Sequence, residues 1–157
     1  MTRYFMPAGN PYLDLLPHRP PMRLVEEIVD VVPGRSARGR RMTRPEDWYF
    51  QGHFPGDPVV PAIVLVELLA QTGGFAACAE PGGETKGQSL RIAAFSGFKF
   101  PGAARPSATL EAVARVVGRI GGMIKIEGEV TADGVCVATG GLTLAQAAPA
   151  EDQSISH

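Results

Sequence analysis

The clearest periodic segment of the chain runs from Met123 to Thr131, where Ile124, Ile126 and Val130 alternate with Lys125, Glu127, Glu129 and Thr131. Period-2 alternation predicts a strand with one buried and one wet face. Asp133-Gly134 after it is a two-residue hairpin signal leading into a strand from Val135 to Leu144, and Gly121-Gly122 plays the same part before it, after a strand from Thr109 to Val117. Leu90 to Phe100 reads as a further strand. Near the start, Met22 to Val32 carries β-branched residues and partial alternation, Pro33-Gly34 turns the chain, and Ser36 to Thr43 is a plausible partner strand. Asn10-Pro11 is a cap-then-Pro signal for one short helical turn, Pro11 to Leu16.

One segment breaks this strand pattern. Pro61 stands where a first helical residue would, and AIVLVELLAQTGGFAACA follows with good helix formers and no alternation. Such a helix is apolar almost all round, so it must be covered on most sides. PGGETKG at 81–87 ends it. An antiparallel sheet with one apolar face needs a cover, and the single helix supplies it, so the expected class is α+β. From Ala145 no periodicity remains, so the reading is a single domain over 1–144 followed by a frayed tail, 145–157, without internal repeats.

Composition narrows the function classes. With 157 residues, 45% of them hydrophobic, and a formal net charge of -1, the chain can bury a core, and neither disorder nor a basic nucleic-acid surface is expected. The 19 Gly and 14 Pro imply many turns. Cys78 and Cys136 alone make neither a disulfide framework nor a metal cluster, which fits a reducing cytoplasm. The N-terminus lacks the pattern of a secretory signal. Val59 to Ala79 is the most apolar stretch, yet Glu67, Gln71, Thr72 and Gly73-Gly74 interrupt it, so a buried helix is expected rather than a membrane span.

Three features could carry chemistry. Glu67 sits inside AIVLVELLA, where an unpaired charge is expensive; burial is expected to raise its pKa and make it an acid near neutral pH. The alternative is a Glu on the one wet stripe of the helix, paired with Gln71 at i+4. His53 lies in Gly52-His53-Phe54-Pro55-Gly56, within the irregular loop WYFQGHFPGDP, and could act as a general base or merely cap a turn; His18 and His157 are assigned to the capping class. The helix start at Pro61-Ala62 offers unpaired N–H groups at the positive end of a dipole. A base, an acid and an oxyanion donor together describe proton abstraction next to a carbonyl with loss of a β-substituent. Whether residues 53 and 67 meet within one chain or across a two-fold dimer is not set by periodicity.

Three stretches, HRPPMRLVEEI at 18–28, FQGHFPGDPVVPAIVLVELLAQTGG at 50–74 and FKFP at 98–101, resemble the 3-hydroxyacyl-(acyl-carrier-protein) dehydratases. The resemblance spans about residues 15 to 143. It implies a hotdog fold, a long helix wrapped by an antiparallel sheet, in a homodimer or dimer-based assembly whose sites draw on both subunits. It further implies His53 and Glu67 as catalytic residues, with Glu rather than Asp at 67 resembling the branch that does not isomerise the double bond. The Ala62 N–H would polarise the thioester carbonyl, and Phe54, Pro55, Gly56, Gln71, Phe98 and Phe100 would contact substrate. No metal or cofactor is implied, and the partner would be acyl carrier protein. Two positions depart from the family pattern: Ala62 stands where Gly is usual, and Ala104-Arg105-Pro106 where Pro-Gly-Asp is usual. Arg35, Arg38, Arg40, Arg41 and Arg44 form a run without an acid; Arg40 and Arg41 are candidate docking residues for the acidic carrier, the alternative being a charged strand edge that resists aggregation. A hotdog thioesterase and a non-catalytic acyl-binding subunit are the competing functions.

Overall fold

The structure is a computed structural model that describes residues 4–5, 13, 16–78 and 90–146. Among the described residues seven strands form one sheet: β1 (Tyr4–Phe5), β2 (Glu27–Val32), β3 (Ser36–Met42), β4 (Leu90–Lys99), β5 (Thr109–Ile120), β6 (Met123–Ala132) and β7 (Val135–Gln146). Their order is β1-β2-β3-β5-β6-β7-β4, and each neighbouring pair is antiparallel. Helix α1 (Ala62–Cys78) connects β3 to β4 and packs mainly on β5 and β3. This is the hotdog fold, the helix packed against one face of the antiparallel sheet.

The alternation read at 123–131 has the expected outcome: Ile124, Ile126 and Val130 are buried while Lys125 and Glu127 are exposed. Ile126, Leu110, Leu144, Leu68, Leu69 and Phe75 are fully buried between sheet and helix. Gly73 allows the close approach, because a Cβ there would stand 3.0 Å from an Ile126 methyl.

Several boundaries differ from expectation. The first long strand starts at Glu27, not Met22, because the backbone of 22–25 is claimed elsewhere: Gln71 Oε1 accepts from Leu24 N at 2.9 Å, Gln71 Nε2 donates to Met22 O at 2.8 Å, and Arg41 Nη1 donates to Leu24 O at 3.1 Å. At the other end, β7 continues through Ala145 and Gln146, into the segment read as tail, since Ala145 pairs with Met123 and Gln146 N donates to Gly122 O at 3.0 Å. β5 likewise continues to Ile120, which pairs with Met123 across the hairpin. Strand β1 was not expected. Most of the short helical turn expected over 11–16, and the tail beyond 146, lie outside the described residues.

β4 is a sheet edge, its pairing with β7 interrupted at two places, and Phe95 on it is 57% exposed. Among the described residues no helix is long and apolar enough to cross a membrane.

Candidate active site

The loop carrying His53 is built on a short 3-10 turn, Trp48–Phe50, whose Tyr49 and Phe50 are buried anchors. Gly52 (φ 77°) and Gly56 (φ 75°) supply the left-handed backbone that lets the chain double back around His53. Main-chain bonds close the loop: His53 N donates to Phe50 O (3.1 Å), Val59 N to His53 O (3.0 Å), and Val60 N to Ala104 O (2.8 Å). The imidazole is held as well. Its Nδ1 lies 3.0 Å from Val59 O, and its ring stacks on Phe54 at 4.2 Å. Because a carbonyl oxygen only accepts, Nδ1 carries the hydrogen and the neutral ring keeps its lone pair on Nε2.

The same loop delivers the chain into α1. Pro61 O accepts the first helical bonds, from Val64 N at 2.9 Å and Leu65 N at 3.4 Å. The N–H groups of Ala62 and Ile63 precede those bonds, at the positive end of the helix, and both residues are exposed.

Glu67 lies in the second turn of α1. Its Oε1 receives Gln71 Nε2 at 3.1 Å and stands 3.4 Å from His18 Nε2. Burial does pull its pKa upward, as expected, but in the single chain that pull is outweighed. The carboxyl is held below the ordinary glutamate range, first by the His18 contact, against the opposing effect of burial, with Gln71 adding to the lowering. His18, read from the sequence as a loop residue, is therefore the missed member of the site. The signal that could have found it is the rule that a buried carboxylate must have a partner.

Within one chain His53 and Glu67 are not joined. Among the described residues, the side-chain contacts of His53 are Val59 and Phe54, and those of Glu67 are His18 and Gln71. Phe54, Pro55 and Gly56 are exposed beside His53; Phe98 is half-buried and stacks at 5.9 Å on the exposed Phe100. Gln71 is 1% exposed, and its amide is committed to Met22, Leu24 and Glu67, so it ties the 22–25 segment to the helix.

The reading of Arg41 as a docking cation is corrected. Arg41 is buried, its Nε donating to Tyr49 Oη (3.0 Å) and its Nη2 pairing with Asp47 (3.0 Å). Arg40 pairs with Glu111 at 2.9 Å and Glu27 at 3.6 Å, and Arg44 with Glu26 at 2.8 Å. The run lacks acids in sequence but meets them in space, Glu27 and Glu111 on neighbouring strands and Glu26 and Asp47 in the adjoining loops. At the departure noted above, Arg105 forms an ion pair with Asp57 in the His53 loop.

A long helix cradled by an antiparallel sheet, with a loop imidazole leading into an exposed helix start and a carboxylate one turn further on, defines the hotdog class of acyl-processing folds. The chain belongs to the FabA-like domain family, whose model matches residues 16–141, and to its FabZ branch. It is 43% identical over 96 residues to a 3-hydroxyacyl-(acyl-carrier-protein) dehydratase FabZ of Chloroflexus aggregans, covering 61% of this chain and 65% of that protein. It is 37% identical over 136 residues to the protein of that name from Herpetosiphon aurantiacus, covering 85% and 93%. Among solved structures, the dehydratase heterocomplex ApeI:P from Xenorhabdus doucetiae shares the fold, with a TM-score of 0.71 at 17% identity, over 87% of this chain and 91% of that one.

Proposed function

We propose that this protein is a cytoplasmic enzyme that reversibly dehydrates 3-hydroxyacyl thioesters, carried on acyl carrier protein, to trans-2-enoyl thioesters. Its site is made by His53 of one subunit and Glu67 of a second copy. Nε2 of His53 takes the C2 proton, and the C–H electron pair moves toward the thioester carbonyl, whose oxygen is met by the Ala62 N–H. Collapse of that enolate forms the C2–C3 double bond and expels the C3 hydroxyl, protonated by Glu67, as water. The proton on His53 then returns to the Glu67 carboxylate. Protons are transferred and the C3–O bond is broken with water as the leaving group, without net oxidation or reduction, so the chemistry calls for no redox or group-transfer cofactor.

The observation that carries this reading is the Nδ1 contact of His53 with Val59 O, which leaves the Nε2 lone pair free to act as the base. The second copy is supported by the stripe of α1 that its own sheet covers least, Ile63 (63% exposed), Glu67, Gly74 and Ala77, and by the exposed apolar edge at Phe95. The Glu67 side chain retains 23% exposure in one chain. A partner and an acyl chain remove the remaining water, which strengthens the upward pull of burial on its pKa and favours the acid form.

The test is product analysis with a 3-hydroxyacyl carrier-protein thioester. Enoyl absorbance without free thiol is expected. Thiol release would identify a thioesterase, and binding without turnover a non-catalytic acyl-binding subunit.

A further inference from the structure

We infer that His18 is a positioning residue for Glu67, fixing one carboxyl oxygen so that the other is the one that exchanges its proton with the substrate hydroxyl. The inference rests on the reading of Glu67 as the acid, and deepens it.

Three observations converge. Both neighbours of Glu67 address the same atom: Gln71 Nε2 lies 3.1 Å and His18 Nε2 3.4 Å from Oε1. Among the described residues Oε2 takes part in neither contact and is the oxygen assigned to the reaction. Second, Nδ1 of His18 is buried without a hydrogen-bond partner among the described residues. A hydrogen there would be a stranded donor, so the tautomer that strands none has its hydrogen on Nε2, the nitrogen 3.4 Å from Glu67 Oε1. Third, the segment bearing His18 is fastened down. Arg19 Nη1 donates to Leu16 O and His18 O, Arg19 O accepts from Arg23 N, and Gln71 binds Met22 and Leu24. The same helical amide thus anchors the loop and the carboxyl, which keeps His18 and Glu67 in register. At 3.4 Å the contact is loose, as contacts around a reacting group often are before substrate binds.

Among the described residues, the groups that act on Glu67 are His18 and Gln71 alone. Removing the His18 donor therefore leaves Oε1 held by Gln71 Nε2 alone, loosens the carboxyl, and removes the largest influence that favours its ionised form.

The experiment uses the full-length assembled protein with His18→Leu, which keeps bulk but not the donor, and His18→Gln, whose amide N–H can occupy the place of Nε2–H. Two readouts are taken: steady-state kinetics against pH, and the titration of the Glu67 carboxyl carbon by NMR, which needs no turnover. For His18→Leu the expectation is a kcat about ten- to a hundredfold lower with little change in KM. The Glu67 titration and the high-pH limb of kcat should both move upward. His18→Gln should recover most of both. A Glu67 titration unmoved in His18→Leu, or wild-type kcat in that variant, would overturn the inference. If His18→Leu does not fold, His18→Gln decides: near-wild-type kcat and titration support the inference, and a large kcat loss with an unmoved titration contradicts it. Failure of the functional reading looks different, because the wild type would then show no dehydration while the titration still reported on His18.

Discussion

Gln71 donates to Glu67 Oε1 at 3.1 Å from one helical turn away, and its other contacts reach the backbone of Met22 and Leu24. One buried amide thus connects the candidate acid to the segment that precedes β2. Gln71→Leu leaves the Leu24 N–H and the Met22 carbonyl unpaired, a cost of about 1–3 kcal/mol for each buried group. Urea unfolding should show a loss of about 2–4 kcal/mol, larger than any change in KM. A KM defect at wild-type stability would instead mark Gln71 as a substrate contact.

His53 sits on a partly exposed loop whose closure depends on main-chain bonds rather than on the ring alone. His53→Ala should therefore keep the fold and the thermal midpoint close to wild type. Turnover should drop by about 10²–10⁴-fold, the usual contribution of a general base. Circular dichroism and steady-state rates on the same preparation check both halves.

Asp47 links acid stability to the buried end of β3. Burial alone would raise its pKa, but bonds from Tyr49 Oη, the Arg44 N–H and Arg41 hold it below the ordinary aspartate range. A depressed folded-state pKa contributes stability that is fully present above the unfolded value, about 3.9, and is lost as pH falls through the folded value. Asp47→Asn should destabilise the protein at pH 7 and flatten the loss of stability below about pH 4. Unfolding free energies from pH 7 down to pH 2 test this.

Arg40 and Arg41, adjacent on β3, should respond differently to charge reversal. Arg41→Glu places a like charge against Asp47 and Glu26 and strands the Leu24 carbonyl, so a loss of about 3–5 kcal/mol or failure to fold is expected. Arg40 is half-exposed, and its reversal should cost about 1 kcal/mol. Equal effects in thermal unfolding would contradict the burial of Arg41.

What was legible in the sequence was local. Alternation at Ile124, Ile126 and Val130, the Asp133-Gly134 turn and the unbroken apolar run of α1 each express their geometry within a few residues, so strands, hairpins and helix followed from pattern. What was hidden depends on neighbours far along the chain. The late start of β2 reflects Gln71 taking backbone groups 47 residues away. The arginine run looked unbalanced because its acids lie on other strands and loops, Glu111 facing Arg40 through the register of β3 and β5. His53 and Glu67 were singled out by residue type and surroundings, but the direction of the Glu67 shift depended on His18, which no periodicity links to the helix.

The most direct test of the central claim, a site shared between two copies, is a mixed dimer of His53→Ala and Glu67→Gln subunits. Each homodimer should be nearly inactive. In the mixed dimer one site receives both lesions and the other receives the intact His53 of one subunit and the intact Glu67 of the other, so about half the wild-type kcat per dimer is predicted. A mixed dimer as inactive as its parents would contradict a site that draws its base and its acid from different chains.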